Sequence, residues 1–177
     1  MSLPASYVKS FLKALFPKLT PGDIEFLRSH LSKQEQILFY RMSAMDQKHC
    51  LDTAYAAQAA AHSQKINQKM LLKIALLHDI GKVKWSPPLL YRIWSVLFDH
   101  LLPPLAKYLA KKGKKEKTGK LSRSLYIKKE HGTLSAQMLK ELDWGEGPLY
   151  IIAHHHDTPK EKDPAELKIL RKADLEN

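Results

Sequence analysis

Residues 76–82 read Leu-Leu-His-Asp-Ile-Gly-Lys, and the adjacent His78–Asp79 pair is where the chain is best equipped for chemistry. Imidazole nitrogen and carboxylate oxygen both ligate divalent transition metals. A carboxylate can also bridge two ions about 3.5–4 Å apart, the separation found in two-metal hydrolases. Met70, Leu71, Leu72, Ile74, Ala75, Leu76 and Leu77 leave little polar surface just upstream, so a helix over about 67–79 is expected to be central and buried. Two ionisable groups at the end of such a helix need partners, and a metal ion would supply them. Gly81 then breaks the helix.

Further donors are spread along the chain. His49 lies on an upstream helical stretch, His131 precedes Gly132 at an expected helix start, the triplet His154-His155-His156 is followed by Asp157, and Asp174 comes late. Consecutive side chains on a helix point about 100° apart, so a helical triplet cannot aim all three rings at one ion. The order His, His-Asp, His, His, Asp, with Ile80-Gly81-Lys82 completing the second motif, resembles the HD superfamily of metal-dependent phosphohydrolases, and its HDIG branch in particular, over roughly residues 35–175.

The resemblance implies an all-α bundle around a metal site. His49, His78, Asp79 and Asp174 would hold one ion, and His131 with His155 a second, Asp79 bridging the two. His155 is favoured within the triplet because His155-His156-Asp157 resembles the His-His-acid motif of the HD-GYP branch; His154 and His156 are the alternatives. Asp79 and Lys82 are the catalytic residues on this reading, with Lys82 meeting the substrate phosphate; read blandly, Lys82 is a cation at a helix C-terminus. The ions would be iron, manganese, zinc or nickel, with magnesium a further option. Met45 stands where the HD-GYP branch has a glutamate, and Thr158-Pro159-Lys160-Glu161 replaces its Gly-Tyr-Pro, which argues against a third metal and against cyclic di-GMP as substrate. His131-Gly132 with Ser135-Ala136 is closer to the branch that cleaves diadenosine tetraphosphate with two irons.

The elements that must position these residues read as helices almost throughout. Residues 5–16 form an expected amphipathic helix stopped at Pro17, and Thr20-Pro21-Gly22-Asp23 opens a short helix to about Ser29. Ser32 and Glu35 fit a capping box. A long helix is expected from about Asp46 to His62, its alanines suited to close packing and its single cysteine, Cys50, to a packed position. Helices are expected over 132–142 and 147–156, and a last one starts near Pro164.

An insert at about 87–129 interrupts this pattern. Its first half is apolar and aromatic (Leu89 to Leu109), its second half basic (Lys111 to Lys129). It reads as a packed helix pair joined by a solvated lysine loop, as a lid whose Lys111, Lys112, Lys114 and Lys115 attract phosphate, or as a surface touching an anionic membrane.

At 177 residues the chain is read as a single HD domain, 1–177, with room for a real core. One cysteine excludes an intrachain disulfide and fits a reducing, cytoplasmic setting, with the membrane periphery as the alternative. His30, His62 and His100 have no partner pattern. The net charge of +11 favours anionic partners: a phosphorylated small molecule first, then an anionic membrane or nucleic acid. The expected activity is hydrolysis of a phosphate ester or anhydride, of a nucleotide or dinucleotide, at a mono- or binuclear site, two metals being favoured. The alternatives are a membrane-associated phosphatase acting on a lipid or other anion, and a non-catalytic HD regulatory module.

Overall fold

The computed structural model describes residues 17–62, 65–85, 89–115 and 117–177, the side chains of 89, 92 and 93 excepted; the helix expected over 5–16 lies outside them. The described elements are all helical: α1 (Pro21–His30), α2 (Lys33–Tyr40), α3 (Ala44–Ala61), α4 (Gln68–Leu77), a 3-10 helix (Ile80–Lys84), α5 (Leu89–Leu101), α6 (Pro103–Gly113), α7 (Lys120–Lys140), α8 (Glu146–Ala153) and α9 (Ala165–Leu175). They fall into two compact units, the first made of residues up to Leu77 together with Pro159–Asn177, the second of His78–Thr158.

In the first unit the starts of α1, α2 and α3 are set by side-chain caps. Thr20 with Asp23 and Ser32 with Glu35 both form reciprocal capping boxes, and the Ser43 hydroxyl accepts from the Asp46 amide. Glu35 also receives Lys73 at 2.6 Å, tying α2 to α4. Burial alone would push the Glu35 carboxyl up, but Lys73 and the Ser32 cap hold it below the usual carboxylate range. The alanine-rich face of α3 buries Cys50, Leu51, Ala54, Ala57 and Ala61, and small side chains there let α4 and α9 approach closely. On α4, Leu71, Leu72, Ile74, Ala75, Leu76 and Leu77 are all buried, each large side chain contributing about 1.5–3 kcal/mol of transfer free energy. The central, buried helix expected from the sequence is this one.

The second unit is built on α7, against which the 3-10 helix, α5, α6 and α8 all pack. Here the structure departs from the expected boundaries. The helix expected to start at 132 begins at Lys120, twelve residues earlier, so His131 lies inside it. Ser122, Ser124, Leu125 and Ile127 give this stretch a buried face, while its lysines occupy the rest of the surface; the basic run concealed a helix. In turn α8 ends at Ala153, and His154 already has non-helical backbone angles, so the triplet follows the helix instead of lying on it. In the first unit, Pro164 stands at the N-cap position of α9 and makes no side-chain cap bond, so it precedes the first turn instead of lying in it.

Candidate metal centre

Close approach of backbones sets the geometry of the second unit's centre. After Leu77 the chain turns through His78 and Asp79 into the 3-10 helix. A Cβ on Gly81 would stand 2.2 Å from the His131 carbonyl oxygen and 2.8 Å from the Ser135 nitrogen. Only glycine allows this contact, and its amide uses the proximity to donate to Ser135 Oγ at 2.8 Å. The 3-10 helix is thereby pinned to α7, and Asp79 Oδ1 comes within 3.1 Å of His131 Nε2. Gly132 plays the same part on the other side of α7: a Cβ there would lie 2.9 Å from the Ile152 oxygen and 3.1 Å from the His155 ring.

Each of two buried imidazoles is oriented by a backbone carbonyl. His131 Nδ1 lies 2.8 Å from the Lys128 oxygen, and His155 Nδ1 lies 2.6 Å from the Ile152 oxygen. A carbonyl only accepts, so each Nδ1 carries the proton and donates, and Nε2 is the nitrogen presented to the centre. Burial first, then the neighbouring His78, His156 and His131, hold the His155 pKa well below its ordinary value, which keeps that ring neutral with its lone pair on Nε2. His131 Nε2 also lies 2.9 Å from His156 Nε2. Ligand atoms of His131, His155 and His156 all fall within 4.8 Å of one another.

Asp79 completes the set. Its burial works against ionisation, yet His78, Lys82 and His131 hold its carboxyl well below the usual range, so it is a buried anion. His78 is fully buried, 3.7 Å from Asp79 through its Nε2, with its ring centroid 5.0 Å from that of His155. The buried carboxylate of Asp79 and the buried imidazoles of His78, His131 and His155, with His156 exposed at their edge, are costly for apolar packing and well matched to a divalent transition metal. Fixing a ligand ring through its distal N–H is how metal-binding histidines are commonly prepared. These residues fit the ion that the sequence pattern implies.

The remaining sequence-derived residues divide by location. In the first unit, packing of α3 on α9 brings His49 Nε2 to 2.9 Å from Asp174 Oδ1. In the second unit, His154 is half-exposed and pairs with Asp157 at 2.7 Å, apart from the cluster of His131, His155 and His156. The triplet is not helical, because α8 has already ended, yet only two of its rings share one partner: His155 and His156 turn to His131, at 5.2 and 4.7 Å between centroids, and His154 does not. Lys82 pairs with Asp79 and is partly exposed.

Lys82, His131 and His156 are among the residues lining a cleft of about 830 Å³ within the second unit. Val96, Ala106 and Leu125 give it apolar walls, and Lys107, Lys128 and Lys129 add positive charge. The insert lysines named from the sequence do not line this cleft. Lys111 and Lys114 border a smaller cavity of about 230 Å³, and Lys112 stacks over the Tyr108 ring at 4.5 Å. The sequence reading singles out none of Lys107, Lys128 and Lys129, because Lys107 falls in the apolar half of the insert and Lys128 and Lys129 at the far end of its basic half. On a helix, Lys128 stands three residues, one turn, before His131.

Neither the comparison with curated proteins nor that with solved structures gave a match. A family model, that of the HD domain, matches residues 47–176. The matched span covers nearly three quarters of the chain, reaches into both units and includes every candidate ligand from His49 to Asp174. The chain thus belongs to the HD domain family, whose members are in general metal-dependent phosphohydrolases.

Proposed function

We propose that this chain hydrolyses a phosphate ester or anhydride, with a nucleotide or dinucleotide as the substrate class and two metal ions at the centre. The observation that carries the reading is the pair of buried imidazoles, His131 and His155, each donating Nδ1–H to a backbone carbonyl and presenting Nε2 beside the ionised Asp79. His78 and His156 extend that donor set, and His49 with Asp174 keep the ligand roles implied by the family's residue order. When bound, divalent ions would supply a water of lowered pKa and neutralise phosphoryl oxygens. Asp79 contributes a carboxylate already ionised in the folded state. Lys82, between Asp79 and the cleft, holds a positive charge where a phosphate would enter, and Lys107, Lys128 and Lys129 draw the anion inward. The apolar walls suit the part of the substrate beyond the phosphate.

The test is elemental analysis of the purified protein together with a screen of nucleotides, dinucleotides and simple phosphodiesters. One or two equivalents of transition metal are expected, and Asp79→Ala should lose both metal and activity. Full activity in chelated, metal-free protein would overturn the proposal, as would unchanged metal content in Asp79→Ala.

A further inference from the structure

The two helices of the insert carry their apolar residues on the outside. Along α5, Leu90, Trp94, Leu97 and Leu101 recur at helical spacing and are 61, 44, 40 and 62 % exposed. The stripe continues from Leu101 onto α6 through Leu105 and Tyr108. The inward side of the pair is already satisfied, since Phe98, Ala106, Leu109 and Ala110 pack with Leu121 and Leu125 of α7. Trp94 meets the Phe98 ring edge-on at 6.0 Å, but the stripe still leaves a large part of its apolar surface outside this unit's core, and leaving such surface in water is costly.

Charge identifies what would cover it. Residues 89–129 hold eleven Lys and Arg against two acidic residues, Asp99 and Glu116, so nine of the chain's eleven net positive charges lie there. Lys111, Lys112, Lys114 and Lys115 cluster at the C-terminal end of α6, directly after the apolar stripe. No helix among the described residues is long and apolar enough to cross a membrane. A short amphipathic helix pair with Trp and Tyr at its apolar face and lysines beside it matches the physics of lying in a lipid interface.

We infer that α5 and α6 form a docking surface for an anionic lipid bilayer. Leu90, Trp94, Leu97, Leu101 and Leu105 enter the headgroup–acyl boundary, and the lysines at the end of α6 meet lipid phosphates and carboxylates.

The full chain should be sedimented with phosphatidylcholine vesicles with and without about a third phosphatidylserine. Association should be about tenfold or more tighter with the anionic vesicles at low salt and should fall as salt rises. Trp94→Ser/Leu97→Ser/Leu101→Ser should lose most of the association while keeping the helical circular dichroism and melting temperature of the native chain. In the native chain, lipids brominated in the acyl chains should quench tryptophan emission. Trp94 is the indole in reach, because Trp144 is buried and Trp85 Nε1 is enclosed. Equal association with both vesicle types, or none, would overturn the inference, as would absence of quenching. A dimer that the triple variant dissolves, with no vesicle association, would assign the stripe to a second copy of the chain instead.

Discussion

The roles of individual histidines are set by which nitrogen each has left to offer. His131 and His155 spend Nδ1–H on backbone carbonyls three residues earlier in the chain and keep Nε2 for the centre. His154 uses Nδ1 on Asp157 and stacks on Tyr150, away from Asp79. Replacing His131 or His155 by alanine should lower the bound metal by about one equivalent each without unfolding the chain, because loss of one ligand in a polynuclear site weakens one ion most. His156→Ala should also lower metal content, since its Nε2 touches that of His131. His154→Ala should leave metal content and turnover unchanged. Elemental analysis beside a thermal melt decides between these outcomes, and an unaltered metal content in His131→Ala would make that ring structural. The sequence alone could place the ligand types in order. It could not rank His154 against His156, because that ranking depends on where α8 ends, and a helix boundary is fixed by the whole local context of caps and packing.

Among the elements, the 3-10 helix contributes most to site geometry for its length. Five residues carry the chain from the turn at Asp79 past α7, and the contact is made backbone to backbone at Gly81. Gly81→Ala should destabilise the protein by about 2–4 kcal/mol, since neither the His131 carbonyl nor the Ser135 amide can yield like the end of a flexible side chain. It should also weaken metal retention, because the displaced 3-10 helix carries Asp79 away from His131. Gly147→Ala, in the first turn of α8 with nothing within 4 Å of the new Cβ, should be neutral or stabilising by about 0.5–1 kcal/mol. Denaturant melts of the two variants test the contrast, and equal melts would show that the 3-10 helix shifts freely. The all-α class, the buried α4 and the capping box at Ser32 were legible beforehand because apolar periodicity and cap residues are local signals. The early start of α7 was not, since Lys120, Arg123, Lys128 and Lys129 masked a face made of serines and a few aliphatic residues.

Over the whole molecule, an even excess of positive charge would act on every anion alike, but the lysines here fall into two groups with different neighbours. Lys107, Lys128 and Lys129 line the cleft that His131 also lines, whereas Lys111, Lys112, Lys114 and Lys115 stand at and just beyond the end of α6 and do not line it. The Debye length is about 10 Å at 0.1 M salt, so only nearby charges are felt by a substrate under ordinary conditions. Lys107→Gln/Lys128→Gln/Lys129→Gln should therefore raise KM for an anionic phosphoester about tenfold at low salt, with a smaller fall in kcat, because these groups attract the ligand without following the reacting bond. Removing Lys128 also leaves the carboxylate of Asp99, now 2.6 Å from its ammonium, uncompensated beside the cleft. The penalty should shrink severalfold on raising salt towards 0.5 M, where screening is nearly complete. The matching variant Lys111→Gln/Lys112→Gln/Lys114→Gln/Lys115→Gln should leave KM for a soluble substrate within about twofold and lose association with anionic vesicles. Steady-state kinetics at two salt concentrations separate the groups: a KM increase of the same size in both variants would mean that the positive field acts as a whole and that the cleft lysines have no special place in it.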